Sequence, residues 1–210
     1  MKKNNIKRIV DLFMLITILF LMAMQVTDKT AHQFLGILMF VFIIIHQVLN
    51  INWYKSLFKG SYNKRRIIFT VINVLLIISF LMTILSGLSM SKAFPIIYGI
   101  INENKAWEIH LAMSHIAFLI MSIHIGLHMR MMVGNISKKI YIVINIIFIC
   151  ITIFGLYMIV QNRYFDYILV RTKHIYHDYS KSNVQIIIEN FCEFFSIAFI
   201  TDCIMKLIKV

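Results

Sequence analysis

Six stretches of roughly 20 mainly apolar residues dominate this chain, and that is the length a helix needs to cross the hydrocarbon core of a bilayer. They run from about Ile9 to Val26, Ala31 to Asn52, Ile67 to Met90, Trp107 to Val133, Ile140 to Gln161 and Val184 to Leu207. Of 210 residues, 60% are hydrophobic and 14% charged. A water-soluble domain is about 45–50% apolar and about 25% charged. The composition excludes a disordered chain and a disulfide-rich secreted scaffold. With six spans no length remains for a soluble domain, so the reading is a single all-α transmembrane domain over residues 1–210, a bundle of about six helices.

Two of the six carry a rival reading. The first follows a basic start, Lys2, Lys3, Lys7 and Arg8, as a signal peptide does. It is long, contains Asp11 and lacks a small-x-small cleavage site after it, so a retained helix is expected. The last contains Glu189, Glu193 and Asp202, each costly at the bilayer centre. It is read as spanning, with an amphipathic surface helix as the alternative. The single proline, Pro95, falls in a loop and kinks no span.

The net charge of +12, from 21 Lys+Arg against 9 Asp+Glu, then becomes an orientation signal. With the N-terminus inside, inner segments hold 14 basic residues, among them Lys55, Lys59, Lys64, Arg65, Arg66, Arg130, Lys138, Lys139, Lys206 and Lys209. Outer segments hold 7: Lys29, Lys92, Lys105, Arg163, Arg171, Lys173 and Lys181. The bias predicts a multi-pass protein of the cell membrane with both termini cytoplasmic. The loop after the fifth span, with four of the seven outer charges, fits this least well. The basic run Lys55 to Arg66 reads as a topology signal touching anionic lipid, not as a nucleic-acid surface.

Six of the eight histidines lie in two spans: His32 and His46 in the second, and His110, His115, His124 and His128 in the fourth. Ionisable residues inside a bilayer are candidate functional groups. His32 to His46 and His110 to His124 are both 14 residues apart. At 3.6 residues per turn this returns to within about 40° of the same face, displaced by about 21 Å. The second and fourth spans run in the same direction, so His32 and His110 share one depth and His46 and His124 another. Two imidazoles at one depth can clamp a haem iron, and two such levels predict two haems b. Small residues on these faces, Gly36 on the first helix and Ser114 and Ala117 on the second, leave room for a flat macrocycle, although small residues also pack membrane helices together.

His128, 18 residues after His110, shares that face and competes with His124 as the inner ligand, or hydrogen-bonds a haem propionate or a quinone. His115 lies about 140° off the face and is expected to pack or hydrogen-bond. His174 and His177 are expected in a solvated loop. Asn50, Trp53, Tyr54 and Lys55 sit at the inner mouth, either shaping a quinol pocket and the inner propionates or anchoring the interface. Cys150, Cys192 and Cys203 read as buried free thiols. The absence of Cys-x-x-Cys-His excludes covalent haem attachment, and no phosphate-binding glycine loop or hydrolytic triad pattern occurs.

These residues resemble the flavinylation-associated cytochrome family, small bacterial membrane proteins first catalogued as a domain of unknown function. The matching stretches are Asp11, His32-Gln-Phe-Leu-Gly36, His46-Gln-Val-Leu-Asn50-Ile-Asn-Trp53-Tyr54-Lys55, Lys59-Gly60, Ser86-Gly87, Trp107-Glu-Ile-His110 and His124-Ile-Gly126-Leu-His128. The resemblance spans nearly the whole chain. It implies a four-helix di-haem cytochrome b-like core, ligands His32, His46, His110 and His124 or His128, and electron transfer to an extracytosolic flavin-bearing partner. Gln33, where the family is expected to be acidic, is a departure, as is the lack of an aromatic next to His115 in sequence. Two other readings use the same residues: a reductase acting on a quinone or ferric iron at one haem, and a transporter binding metal ions or protons through its histidines.

Overall fold

The computed structural model describes residues 3–133 and 137–208, and side chains at 5–129 and 137–208. The side chains of Lys3 and Arg130, and all of Lys2 and Lys209, assigned to the inner charges, lie outside the described residues. Among the described residues every regular element is a helix: α1 (Lys3–Met22), α2 (Met24–Leu49), α3 (Ile51–Ser56), α4 (Lys64–Met90), α5 (Glu103–Val133), α6 (Lys138–Gln161), α7 (Tyr164–Ile168) and α8 (Asn183–Leu207). Among the described residues five helices, α2, α4, α5, α6 and α8, are long and apolar enough to cross a membrane. This is an all-α, multi-pass membrane protein.

The helix expected over Ile9 to Val26 differs. It starts at Lys3, so Lys7, Arg8 and Asp11 fall within it, and it stops at Met22. Ala23 leaves the helical region (φ −91°, ψ 52°), and Asp28 breaks the chain again with a left-handed φ of 53°. Asp28 caps the next helical stretch, its Oδ1 accepting from the Ala31 amide at 2.9 Å. The regular part of α2 therefore begins close to where the apolar run begins. The short helices α3 and α7 have no periodic signal, because five or six residues carry too few apolar positions to show one.

By packing, the chain divides into two compact units, Met1–Asn63 with Lys181–Ile187, and Lys64–Ser180 with Ile188–Val210. The first is built on the hairpin of α1 and α2. Phe13 stacks on Phe42 with ring centroids 5.7 Å apart. The Lys7 ammonium donates to Asn50 Oδ1 at 2.7 Å, tying the start of α1 to the end of α2.

The second unit holds α4, α5, α6, α7 and most of α8. Small side chains let these helices approach: Ser79, Ser86 and Ser89 on α4, and Ala106, Ala112, Ala117 and Ser122 on α5, are all buried. Ser86 Oγ donates to Met82 O at 2.7 Å and Ser122 Oγ to Phe118 O at 2.8 Å, each satisfied by its own helix. Phe118 and Phe194 meet edge to face at 5.2 Å, both fully buried.

α8 packs by its polar side as well as its apolar one. Glu189, Glu193, Ser196 and Asp202 are buried with Phe194, Ala198 and Phe199. Its carboxylates face protein, which favours a helix packed among others over one lying on a membrane surface. Glycine makes this contact possible. A Cβ on Gly126 would run into the Ala198 carbonyl and stand 2.7 Å from Thr201 Cβ, and one on Gly155 would run into the Cys192 carbonyl and stand 2.9 Å from Ser196 Cβ.

The long loop between α7 and α8 is pinned by its charges. Lys173 reaches Glu108 at 2.6 Å while Trp107 Nε1 donates to Lys173 O at 2.6 Å, and Lys105 shares Glu108 at 3.2 Å. Arg163 bonds Asp166 at 2.7 Å, with Arg171 3.9 Å away. Four of the seven basic residues assigned outside are thus engaged with two carboxylates. They have a structural role on that side whatever their effect on orientation.

Gly155→Val should destabilise the protein by about 1–3 kcal/mol through overpacking against α8. Gly36→Ala, with nothing within 4 Å of the added carbon, should leave stability unchanged or slightly raised. Unfolding in mixed micelles with increasing SDS compares the two.

Candidate haem-ligand histidines

A histidine can ligate iron through Nε2 only if its proton sits on Nδ1, and what accepts that proton fixes the tautomer and the ring plane. Three of the candidate ligands have such an acceptor. His110 Nδ1 lies 2.9 Å from the Thr83 carbonyl of α4. Thr83 precedes Ser86 and Gly87, and a Cβ on Gly87 would stand only 3.0 Å from His110 Cε1. Gly87 therefore makes room for the imidazole that Thr83 orients.

His124 Nδ1 lies 2.9 Å from Asn73 Oδ1, also on α4. Its neighbour His128 has a different setting: its ring meets Phe69 edge to face at 5.1 Å and stands 4.8 Å from the His124 ring. The Arg65 guanidinium lies over the same Phe69 ring, 5.4 Å from its centroid.

His46 belongs to the first unit. Its Nδ1 lies 2.7 Å from Asp11 Oδ1, and Asn50 Nδ2 stands 3.3 Å from its Nε2. Asn50 also donates to the His46 carbonyl at 2.9 Å. Trp53 packs edge to face on Tyr54 at 4.8 Å, and the Tyr54 hydroxyl donates to Gln47 Oε1 at 2.9 Å. Burial raises the Tyr54 phenol above its ordinary pKa. His32 is half-buried, fourteen residues before His46 on the same helix, and Gly36 beside it leaves open space. Ser114 Oγ donates to Leu111 O in its own helix at 3.0 Å.

These residues fit haem. Three imidazoles have Nδ1 against an oxygen, which fixes the tautomer of each ring, and the acceptors for His110 and His124 come from a neighbouring helix that packs closely along α5. Among the described residues no group of three or more His, Cys, Asp or Glu side chains comes together to hold a metal ion. A haem brings four ring nitrogens and asks the protein for two imidazoles, whose second nitrogens are commonly held by an acceptor as these three are.

The remaining histidines sit elsewhere. His115 Nδ1 bonds Leu111 O of its own helix at 2.7 Å, and its ring stacks on Tyr167 at 4.4 Å. The Tyr164 hydroxyl donates to the His115 carbonyl at 2.6 Å. Aromatic residues do flank His115, but they come from α7, some 50 positions on. His174 is exposed, whereas His177 is half-buried and stacks on Tyr179 at 6.0 Å, so the expectation of a solvated pair holds for His174 alone. Cys150 departs from expectation too: all three thiols are free, but Cys150 is exposed, on the apolar outer face of α6.

The site residues that spacing missed are the acceptors, Asp11, Asn73 and Thr83. Asn73 is the one polar amide in the apolar run of α4, a signal available in the sequence; the Thr83 carbonyl has none. The chain matches no family model, no curated protein and no solved structure.

Tyr164 gives a test of this packing that is independent of iron. Its phenol is held well above the ordinary value, first by burial and then by the nearby Glu193. A group with a raised folded pKa contributes stability that is complete below its unfolded pKa, about 10, and lost as pH rises through the folded value. Tyr164→Phe should cost about 1 kcal/mol near neutrality for the lost hydrogen bond. Above about pH 10 the wild type should lose stability more steeply than the variant, as read by unfolding at stepped alkaline pH.

Proposed function

We propose that this protein is a di-haem b-type membrane cytochrome that relays electrons across the bilayer, as its resemblance to the flavinylation-associated cytochromes implies. The observation that carries the reading is the set of committed Nδ1 atoms: His46 on Asp11, His110 on Thr83 and His124 on Asn73. Hydrogen-bonding of the non-ligating nitrogen to a carboxylate, carbonyl or other fixed acceptor is the usual support of a metal-bound histidine.

By their equal 14-residue spacing in the sequence, His32 and His110 would hold one haem and His46 and His124 the other. Haem held by such imidazoles supplies reversible one-electron chemistry, with potential set by ligands, hydrogen bonds and burial. Asn73 supports His124 as a ligand by fixing the tautomer of its ring, and the matched 14-residue spacing favours it over His128. His128, against Phe69, is left to shape the edge of the site. Thr83 and Gly87 orient His110 by hydrogen bond and by clearance. Asn50 and Lys7 hold the end of α2 beside His46, and Gly36 leaves space on the His32 face.

Electrons enter from a quinol or a cytoplasmic-side donor and leave to an extracytosolic flavin-bearing acceptor. Direct reduction of a quinone or ferric iron at one haem uses the same ligands with a different acceptor.

The purified protein should show a haem b α-band in its reduced-minus-oxidised spectrum and bind two haems per chain. His32→Ala and His110→Ala should each halve the haem content by removing the same haem, and His46→Ala and His124→Ala the other. His128→Ala should keep both. Absence of an α-band sinks the cytochrome reading, and one haem per wild-type chain sinks the two-level arrangement.

A further inference from the structure

The three acceptors differ in charge. His110 donates to a backbone carbonyl and His124 to a neutral amide oxygen, both at 2.9 Å. His46 donates to a carboxylate at 2.7 Å, the shortest of the three. A carboxylate draws the Nδ1 proton further from the ring than a neutral oxygen does and gives the imidazole more imidazolate character. Such a ligand stabilises ferric over ferrous iron, so it lowers the reduction potential of the haem it holds.

The surroundings leave this carboxylate to the histidine. Lys7, one helical turn before Asp11, gives its ammonium to Asn50 Oδ1 at 2.7 Å instead. Asn50 in turn donates to the His46 carbonyl. Lys7 and Asn50 thus hold α1 against the end of α2, and Asp11 is brought to bear on the imidazole from α1. The Asp11 side chain is 53% exposed and that of His46 25%. An exposed carboxylate facing one imidazole needs a reason to be built into so apolar a chain.

Building on the cytochrome reading, we infer that Asp11 is a positioning residue for His46 that sets the potential of one haem: it holds the haem ligated by His46 as the lower-potential member of the pair. The consequence is a downhill electron path from the haem that His46 would hold to the other.

The test is a redox titration of the full chain in lipid nanodiscs, followed optically and by the low-spin ferric EPR signals of the two haems. In Asp11→Asn, which keeps an acceptor oxygen without its charge, the lower midpoint should rise, the upper should stay, and one EPR signal alone should move. Asp11→Glu, which keeps the charge, should retain both haems and the wild-type gap. Equal movement of both midpoints in Asp11→Asn, no movement, or movement of the upper midpoint alone overturns the inference. If Asp11→Asn loses a haem, Asp11→Glu decides: a wild-type gap supports the inference and a collapsed gap overturns it. A wild-type chain without haem is a different result, since it removes the cytochrome reading itself.

Discussion

Inside an apolar layer a polar group has no water to turn to, and a hydrogen bond left unmade there costs more than almost any other local defect. The arrangement of this protein reflects that demand. The hydroxyls of Thr83, Ser86 and Ser122 meet it locally, by donating to carbonyls of their own helix, so these residues serve as small packing groups at no polar cost. Histidine rings cannot all do so. His115 finds Leu111 O one turn back, but His110, His124 and His46 reach to a neighbouring helix. Each of those bonds ties two helices together and at the same time fixes the tautomer of the ring.

The same demand explains α8. Three carboxyl groups in one apolar helix weigh against a spanning segment when the helix is considered alone. They are accommodated because they point at protein: Asn162, at the end of α6, donates to Glu193 at 2.7 Å and lies 3.4 Å from Glu189, while Lys206 pairs with Asp202 one turn along. The two glycines that admit α8, Gly126 and Gly155, lie on α5 and α6. The close approach they allow brings those groups within hydrogen-bond range. Backbone proximity and polar satisfaction are one design here, since loosening the first would strand the second.

Much of this is legible in the residues. Long apolar runs mark α2, α4, α5, α6 and α8 to within about a turn at most of their ends, because a span must be both long and apolar and little else reads that way. The start is less legible. In the sequence Lys7, Arg8 and Asp11 flank or interrupt an apolar run, whereas α1 extends back over them and ends before Val26, since Ala23 and Asp28 break the chain. The histidine pattern is legible as spacing along single helices. Its supports are not, because periodicity carries information about one helix face and the acceptors come from another element. A backbone carbonyl such as that of Thr83 leaves no mark in the sequence. The aromatic neighbours of His115 are likewise invisible there, being supplied by the short helix α7 after another span has intervened.

The neighbours His124 and His128 show what geometry adds to spacing. Both lie within reach of one helix face, four residues apart, so angle alone leaves them close competitors. Their environments separate them. His124 meets an amide oxygen that takes its Nδ1 proton, and His128 meets Phe69. A hydrogen bond to a fixed oxygen selects the tautomer, so the ring is preorganised. The same preorganisation applies to His110, where Gly87 clears the space and Thr83 sets the tautomer. On α5, then, the histidine rings are set as much by Asn73, Thr83 and Gly87 as by their own helix, and Asp11 does the same for His46 within the first unit.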